Sequence, residues 1–526
     1  MNAYDAVPYP SYAYSTSNPA NLCTISRLFG VNSCNIETAN VLELACAAGG
    51  NIIPLAARFP DARFMGIDLS EVQINQAKGT VSRLNLSNIT FTAADLTDIN
   101  LDGETFDYII AHGLYSWVPA KVQDAILDLC SRSLAPNGVA YVSYNTLPGW
   151  NMVKTVRDMM LYHTRRFEDD PSQKVLEARR MLKFVSESIT DTKEKAYYKN
   201  MLANEINLLS SAEDEYLLHD HLEASHDPSY FHEFIADAEK HGLQYLAEAD
   251  LPSMYLGNSS ELAAETLAEI KDIIQLEQYM DFINNRRFRK TLLVHKSQQI
   301  NRSINNPDLD GYRLGLLMFP KRDKPIKDGE LVEELELVHP QDDGISIVFT
   351  GKEMCACVLE MARAHPILMT QKEIGEKVAE KYSDVTASRA ELELSSFLAE
   401  LLFRGVITAT LDPIHYTTTI EERPQVFDVA RIQGETGSRV TNLFHEMPLL
   451  EDDRRLVMQY VDGTRSIPEI AQEVRQHIEK GELTIQKDGE AVELNNPEFS
   501  SILDEYILNH LGHFALNALL MKTDLP

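Results

Sequence analysis

Three acidic residues, each at the end of a predicted strand, could together bind a small polar ligand. Glu43 lies at the end of the first strand, Asp68 ends the second, and Asp95 follows the third. Because open α/β sheets bind ligands at the carboxyl ends of their strands, these carboxylates should meet at one edge. There Glu43 could bind a charged amino group, Asp68 the two hydroxyls of a ribose, and Asp95 an adenine amino group.

A turn of small residues follows the first strand and would lie beneath such a ligand. It reads Ala45-Cys46-Ala47-Ala48-Gly49-Gly50-Asn51. Small side chains let the backbone approach a ligand closely, and the helix that follows presents free N–H groups. A nicotinamide or flavin dinucleotide would need G-x-G-x-x-G, which this turn lacks, so those cofactors are disfavoured.

Strands that alternate with helices position these groups from residue 40 onward. The expected strands are Val41–Cys46, Arg63–Leu69, Ile89–Ala94, Phe106–Ala111 and Val139–Tyr144, with helices over Ser70–Asn85 and Pro119–Leu134. This alternation predicts an α/β fold with a parallel sheet covered on both faces. Helical patterns then continue to about residue 240, and strand patterns return at 243–247 and 291–295. We therefore expect a helical insertion between the fifth and sixth strands of one sheet.

The composition limits the partners and the compartment. The formal net charge is -31, from 48 basic and 79 acidic residues. Such a surface repels nucleic acid and would attract a basic, lysine-rich protein, unless the charge serves solubility alone. The first residues lack the features of a signal peptide, and no run approaches the ~18 apolar residues of a membrane span. A cytoplasmic protein with no membrane partner is expected, and the scattered cysteines predict no metal site.

The segment 40–145 resembles the class I S-adenosylmethionine-dependent methyltransferases, whose motif combines this small-residue turn with acids after three strands. The resemblance implies a Rossmann-like domain with S-adenosyl-L-methionine as cofactor. Its methionine part would meet Glu43 and the turn, its ribose Asp68, and its adenine Asp95. The predicted cofactor-binding residues are Glu43, Ala45, Cys46, Ala47, Gly49, Asn51, Asp68, Leu69, Asp95, Leu96 and His112. The family usually has glycine at Ala45 and Ala47, and alanine there disfavours positive φ, which would weaken binding.

A narrower resemblance covers roughly residues 1–300 and rests on several motifs. They are Tyr4-Asp5-x-Val7-Pro8-Tyr9, Leu44-x-Cys46-x-x-Gly49-Gly50-Asn51, His112-Gly113-x-Tyr115-Ser116-Trp117-Val118-Pro119, Tyr144-Asn145-Thr146-Leu147-Pro148-Gly149-Trp150, Tyr216–Leu246 and Arg287-Phe288-Arg289-x-Thr291-Leu292-Leu293. Together they are similar to bacterial methyltransferases with a methyltransferase regulatory domain, some of which, the rickettsial type, are protein-lysine methyltransferases. The resemblance implies that the chain beyond residue 310 helps to form a substrate cleft or a homodimer.

The chain of 526 residues is too long for one hydrophobic core, and three domains are predicted. They are a methyltransferase domain over 1–298, with 151–240 as its helical insertion or regulatory segment, a winged-helix-like middle domain over 299–420, and a mainly helical C-terminal domain over 421–526. The winged-helix outline consists of helices at 370–381 and 388–403 and a strand at 406–411. No basic recognition helix accompanies it, so a protein-interaction or structural role is favoured.

Two loops, after the fourth and fifth strands, lie where class I enzymes meet the methyl acceptor. The predicted catalytic residues in them are His112, Tyr115, Trp117 and Asn145. Tyr115 and Trp117 would line the acceptor channel, and His112 is a candidate proton acceptor. Alternatively, these rings pack the helical insertion onto the sheet. The N-terminal arm, with Tyr4, Tyr9, Tyr12 and Tyr14, is expected to form either a lid over the cofactor or a packed surface arm.

These features predict an S-adenosylmethionine-dependent methyltransferase that N-methylates lysine side chains of a protein. The alternatives are a small-molecule N- or O-methyltransferase and a non-catalytic protein that binds the cofactor. A groove open to solvent would favour a polypeptide acceptor, whereas a sealed pocket of ~300–1,000 Å³ would favour a metabolite.

Overall fold

A mixed sheet of seven strands forms the centre of the first part of the chain. The computed structural model describes residues 11–522, apart from residues 102, 168–169, 191, 211–212, 224, 305–308, 310, 322–325, 414 and 488–489. The strands are β1 Asn40–Leu44, β2 Arg63–Asp68, β3 Ile89–Ala93, β4 Phe106–Ala111, β5 Leu134–Asn145, β6 Leu243–Glu248 and β7 Phe288–His295. Their spatial order is β3-β2-β1-β4-β5-β7-β6. Strands β1 to β5 pair in parallel, and β7 runs antiparallel to both of its neighbours.

The strand order reverses beside β1, and this reversal creates the crevice for a ligand. Strand β1 pairs with β2 on one side and with β4 on the other, so Glu43 is in register with Gly66 and Ile110. The connections from β1 and from β4 leave in opposite directions, which opens the sheet edge at their carboxyl ends. The predicted α/β fold is confirmed, and the acidic residues lie where that edge opens.

Side chains of the central strands alternate between two buried cores. Val41 and Tyr108 belong to the core on one face, and Leu42 and Ile109 to the core on the other. The helices that cover the sheet are α1 Pro19–Leu28, α2 Ile52–Arg58, α3 Glu71–Arg83 and α4 Ala120–Ser133. Helix α3 begins where the Ser70 side chain accepts a hydrogen bond from the amide of Gln73, which is a preferred N-cap arrangement.

A helical insertion separates β5 from β6, as predicted. It contains α5 Trp150–Thr164, α6 Pro171–Ser188, α7 Ala196–Ser210, α8 Asp214–Tyr216, a π-helical turn over Leu217–His221, and α9 Phe231–Lys240. Helices α5 to α7 bury a small core of their own, which includes Met160, Leu182 and Leu202. Helix α9 instead packs on the sheet through Phe231 and Phe234. Two further helices, α10 Glu261–Leu267 and α11 Ile273–Asn284, precede β7.

The middle part of the chain shares its core with the sheet. It contains β8 Arg313–Leu316, β9 Phe319–Pro320, β10 Glu334–His339, β11 Asp342–Thr350, α12 Lys352–Ala364, α13 Gln371–Lys381, α14 Ala387–Phe403 and β12 Ile407–Thr410. Strands β8 and β12 pair, and the apolar core of one sheet face continues into α12 and α14. In addition, the buried Arg58 of α2 donates from Nη2 to both carboxylate oxygens of Asp412, each at 2.7 Å.

The last part of the chain is mainly helical and has a separate core. It contains α15 Asp428–Gly434, α16 Asp452–Met458, α17 Ile467–Glu479, β13 Gln486–Lys487, β14 Glu490–Ala491 and α18 Phe499–Leu516. The domain boundaries predicted at residues 298 and 420 stay predictions. Among the residues that the structure describes, no helix is both long enough and apolar enough to span a bilayer.

Candidate active site

A cavity of about 460 Å³ opens at the carboxyl edge of the sheet. All of the predicted site residues except Gly49 and Tyr115 line it. They are Glu43, Ala45, Cys46, Ala47, Asn51, Asp68, Leu69, Asp95, Leu96, His112, Trp117 and Asn145. The structure therefore brings together side chains from five strand ends, including the three acids whose meeting the pattern predicts. Within the described part of the chain, no group of three His, Cys, Asp or Glu side chains could hold a metal ion.

Glu43 is buried at the end of β1 and has one unsatisfied oxygen. Its Oε1 accepts a hydrogen bond from Asn51 Nδ2 at 2.7 Å, whereas Oε2 is buried with no hydrogen-bond partner among the described residues. Burial raises the pKa of Glu43 to about 8, although the hydrogen bond from Asn51 opposes this rise. A carboxylate that lines a cavity with an unpaired oxygen fits a cationic group of a ligand, because an unsatisfied buried acceptor is costly.

The turn after β1 is held in left-handed backbone conformations. Ala45 has φ 55°, Ala47 has φ 50° and Gly49 has φ 78°. Asp68 stabilises the turn from β2, because its Oδ2 accepts a hydrogen bond from the amide of Ala47 at 2.9 Å. Gly49 lies beneath the turn, where a methyl group would come within 2.7 Å of Ile53 Cδ1. Its role is thus to let the turn pack on α2, and it does not line the cavity.

Replacing Ala47 with glycine is expected to stabilise the protein by up to about 1 kcal/mol. The left-handed conformation costs an alanine about 1–2 kcal/mol, whereas glycine adopts it freely and loses about 0.5–1 kcal/mol in chain entropy. Urea unfolding measures the change. Ala48 belongs to the same turn but is not among the residues with positive φ, so Ala48→Gly is the matched control and should destabilise. A lower stability for Ala47→Gly than for the parent would contradict the expectation.

Asp95 lies at the exposed rim of the cavity. Its Oδ1 accepts hydrogen bonds from the amide and the hydroxyl of Thr97, at 2.8 and 2.9 Å. These bonds lower the pKa of Asp95, which keeps the carboxylate ionised. Leu69, which is 61% exposed, and Leu96 add apolar surface to the cavity lining. An acid beside apolar side chains is a suitable environment for a flat, polar-edged ring such as adenine.

His112 is a neutral imidazole in a packed aromatic environment. Its ring stacks on Tyr14 with a centroid distance of 3.7 Å, and its Nδ1 lies 2.9 Å from the hydroxyl of Tyr141. Burial first, and the charge of Lys290 second, lower the pKa of His112 to about 3. A general base works best with a pKa near the operating pH. His112 lines the cavity as predicted, but its environment does not support the predicted role as proton acceptor.

Tyr115 is in the core of the protein and not in the cavity, which corrects the prediction of an acceptor-channel role. Its ring makes edge-to-face contacts with Phe234 and Tyr144. The 3-10 turn over Tyr115–Trp117 points Tyr115 toward α9, while Trp117 lines the cavity. For Tyr115, the alternative interpretation, that the ring packs the insertion onto the sheet, agrees with the structure.

Trp117 and Asn145 meet at a histidine that the sequence analysis did not select. The rings of Trp117 and His226 are 4.6 Å apart, and Asn145 Nδ2 lies 3.1 Å from His226 Nε2. Burial lowers the pKa of His226 to about 3, so its neutral Nε2 can accept the hydrogen bond and orient the Asn145 amide. His226 therefore lies behind the cavity lining, where it contacts Trp117 and Asn145 and can position them.

Other cavity residues come from the N-terminal arm, from the insertion and from β7. They are Ser11, Tyr12, Tyr14, His219, Asp220, Glu223 and Phe288. The arm packs on the turn after β1, since Ser11 Oγ accepts from the amide of Gly50 at 2.7 Å. The arm was expected as either a lid or a surface arm, and its Tyr4 and Tyr9 lie outside the described residues. In the insertion, the polar run His219-Asp220-His221 interrupts an otherwise helical pattern. This run was the sequence signal that could have pointed to the cavity residues of the insertion.

Comparisons with protein families agree with this geometry. A methyltransferase domain model matches residues 41–138, a predicted methyltransferase regulatory domain matches 213–295, and a PKMT C-terminal winged helix domain matches 422–519. The regulatory model thus covers the end of the insertion together with β6 and β7. The winged-helix model matches the last part of the chain, whereas the sequence outline of a winged helix lay at 370–411.

Two relatives resemble the chain over nearly its whole length. An uncharacterized protein of Rickettsia prowazekii (strain Madrid E) is 39% identical over 525 residues, covering 99% of this chain and 94% of that protein. The solved structure of PKMT2 from Rickettsia typhi is 31% identical with a TM-score of 0.88, covering 98% of this chain and all of that one. The same protein in complex with AdoHcy gives a TM-score of 0.86. A trans-aconitate 2-methyltransferase of Methylobacterium nodulans is 31% identical over 139 residues, or 26% of this chain and 48% of that enzyme.

Proposed function

This chain belongs to the family of class I S-adenosylmethionine-dependent methyltransferases with a regulatory domain and a PKMT winged helix domain, and we propose that it N-methylates lysine side chains of a protein. The protein is a methyltransferase and its cofactor is S-adenosyl-L-methionine. The lysine acceptor is the proposed part. It rests on the likeness of the whole chain to PKMT2 of Rickettsia typhi, since the rickettsial type of this family includes protein-lysine methyltransferases.

The site geometry supports a proposed role for each cofactor residue. Glu43, with its unpaired oxygen, would bind the charged amino group of the cofactor, Asp68 the ribose hydroxyls, and Asp95 the adenine edge. Asn51 would act through Glu43, which it holds by a hydrogen bond. When bound, S-adenosyl-L-methionine supplies an electrophilic methyl group for a nucleophilic nitrogen.

The walls of the cavity suit the ammonium group of a lysine. The carboxylates of Asp220 and Glu223 line the cavity together with Trp117. Carboxylates can accept hydrogen bonds from an ammonium and so orient it, and an indole face stabilises a cation. The apolar part of the lining, which includes Leu114 and Val118, acts in the opposite sense and favours the neutral amine. Only the neutral amine has a lone pair to attack a methyl group. The net charge of -31 would also attract a lysine-rich protein.

A small-molecule N- or O-methyltransferase is the second candidate. One observation favours it, namely that 460 Å³ falls within the ~300–1,000 Å³ typical of small-ligand pockets. The cofactor must occupy part of that volume as well. The space that remains suits the end of a lysine side chain better than a second ligand as large as the cofactor.

A labelling experiment tests the acceptor class. The protein is incubated with labelled S-adenosylmethionine and either a lysine-rich protein, the same protein with acetylated lysines, or small amines and carboxylates. We expect label on the lysine Nζ of the unmodified protein alone, located by mass spectrometry. Asp220→Asn with Glu223→Gln should raise KM for the protein acceptor, while exposed Asp128→Asn should leave it unchanged. Label in the small molecules alone would support the second candidate, and cofactor binding without any transfer would support a non-catalytic role.

Cofactor affinity is expected to rise with pH between about 6 and 7.5. In the ligand-free protein the pKa of Glu43 is about 8, so the carboxyl is mostly protonated below that pH and must lose its proton to pair with a cationic amino group. The association constant should therefore increase nearly tenfold per pH unit well below the pKa, with proton release on binding. Calorimetric titration with S-adenosylhomocysteine in buffers of different ionisation enthalpy measures both quantities. Glu43→Gln should weaken binding and remove the pH dependence; a flat profile in the parent protein would contradict the assignment.

A further inference from the structure

A loop of the C-terminal part of the chain reaches the back of the cofactor site. His445, which is fully buried, places its Nε2 2.8 Å from Oδ1 of Asn51, although the two residues are 394 positions apart. Asn51 is in turn the residue that holds Glu43. A residue outside the methyltransferase sheet thus contacts the hydrogen-bond network that holds the carboxylate of Glu43.

The directions of these hydrogen bonds follow from one unambiguous donor. The amide of Tyr14 can only donate, and it lies 2.9 Å from one side-chain atom of Asn51, which must be the acceptor Oδ1. The other atom, Nδ2, therefore donates to Glu43 Oε1. Because Oδ1 only accepts, Nε2 of His445 must carry the proton that it shares with Asn51. Burial keeps the imidazole neutral, since it lowers the pKa of His445 to about 3.

The loop that carries His445 is built to present this one side chain. His445 has φ 63°, a left-handed conformation that is unfavourable for a residue with a Cβ. Asn442 stabilises the turn, since its Oδ1 accepts from the amides of Phe444 and Glu446. The amide of Leu443 also donates to the carbonyl of Ala518, which anchors the loop to the end of the C-terminal core. Backbone strain that is held by so many contacts is typical of a functional position.

We propose that His445 is a positioning residue of the cofactor site, which orients Asn51 so that Glu43 presents Oε2 to the charged amino group of the cofactor. When His445 Nε2–H donates to Oδ1, the Asn51 amide group is fixed in one orientation. Rotating it would break the hydrogen bonds to Oδ1 as well as the one from Nδ2 to Glu43. The Glu43 carboxylate is then held by Oε1, and Oε2 remains as the acceptor. Docking of the C-terminal part of the chain and cofactor affinity are therefore coupled through this contact. The inference concerns the cofactor and does not depend on the lysine acceptor.

Two amide variants of His445 in the full-length protein test the proposal. Glutamine can place its Nε2 donor where the histidine Nε2 lies, whereas the shorter asparagine places its donor where Nδ1 lies and tolerates left-handed φ well. Calorimetry with S-adenosylhomocysteine is expected to give a Kd about tenfold higher for His445→Asn and close to the parent value for His445→Gln. Thermal unfolding verifies that both variants are folded.

A double-mutant cycle and a control histidine distinguish positioning from general destabilisation. If His445 acts through Asn51, then Asn51→Ala alone and Asn51→Ala with His445→Asn should have the same Kd. The matched control is His510→Gln, another buried histidine of the C-terminal core that packs on Tyr506, and it should leave Kd unchanged. An unchanged Kd for His445→Asn, a failed rescue by a folded His445→Gln, additive effects in the cycle, or an equal loss in His510→Gln would each overturn the proposal.

Discussion

Replacing Asp68 with alanine is expected to weaken S-adenosylhomocysteine binding at least about a hundredfold. Two hydrogen bonds from ribose hydroxyls to a carboxylate would be lost, each contributing about 1.5–3 kcal/mol. The turn would also lose an acceptor, because Asp68 Oδ2 holds the amide of Ala47 and Oδ1 that of Ser70, at 2.9 and 2.8 Å. Both losses lower the affinity for S-adenosylhomocysteine, because the left-handed turn at Ala47 lines the cavity. Calorimetric titration gives the affinity directly.

Asp68→Asn separates the two contributions. An amide keeps one accepting oxygen and replaces the other with a donor, so it can hold only one of the two backbone amides. We expect an affinity between those of the parent and of Asp68→Ala. Asp128→Ala, which removes an exposed carboxylate paired with Arg132, should bind like the parent. If Asp68→Ala is folded and binds with unchanged affinity, the ribose assignment is wrong.

Replacing Arg289 with methionine is expected to destabilise the protein by about 3–5 kcal/mol. Arg289 lies on β7 with a fully buried side chain, and its guanidinium donates to the carboxylates of Glu248, Glu277 and Asp281, at distances from 2.7 to 3.0 Å. The guanidinium carbon also lies 3.8 Å from the ring centroid of Phe231. Methionine would fill much of the volume but would leave three buried acids without this cation. Arg286 would still pair with Asp281 at 3.1 Å. The loss is nevertheless costly, because the remaining charges are desolvated and only partly compensated.

Urea unfolding at several pH values measures the loss of folding stability and shows whether the unpaired carboxylates cause it. Burial already raises the pKa of Glu277 and of Asp281, and without the arginine these carboxyls should bind protons still more readily when folded. A group whose pKa is higher in the folded than in the unfolded protein makes the folded state less stable as the pH rises. The stability that Arg289→Met loses relative to the parent should therefore be smaller at pH 5 than at pH 8. Arg289→Lys keeps a charge but lacks the planar set of five donors, and should fall in between. Arg132→Met, on the surface, should change little. A stability of Arg289→Met equal to that of the parent would contradict the expectation.

Local patterns in the chain were sufficient to predict the sheet, the insertion and the acidic edge. Strands β1 to β5 each contain a short apolar run, and most of them alternate with helices. The acids at the ends of the first three come together because parallel strands end on the same side. Glu43, Asp68 and Asp95 could therefore be placed at one cavity from residue type and spacing alone. The small-residue turn could also be recognised, because close backbone approach requires small side chains.

The tertiary structure decided which side chains of a loop face the cavity and which distant segments complete it. Tyr115 and Trp117 are two positions apart, yet one packs in the core and the other lines the cavity, because a single 3-10 turn directs them to different neighbours. The neutral state of His112 likewise depends on how deeply the folded chain buries it. His445 reaches Asn51 only because the part of the chain around the C-terminal core docks against the part around the sheet. No periodicity encodes such a contact, since it depends on packing between surfaces that are hundreds of residues apart in the chain.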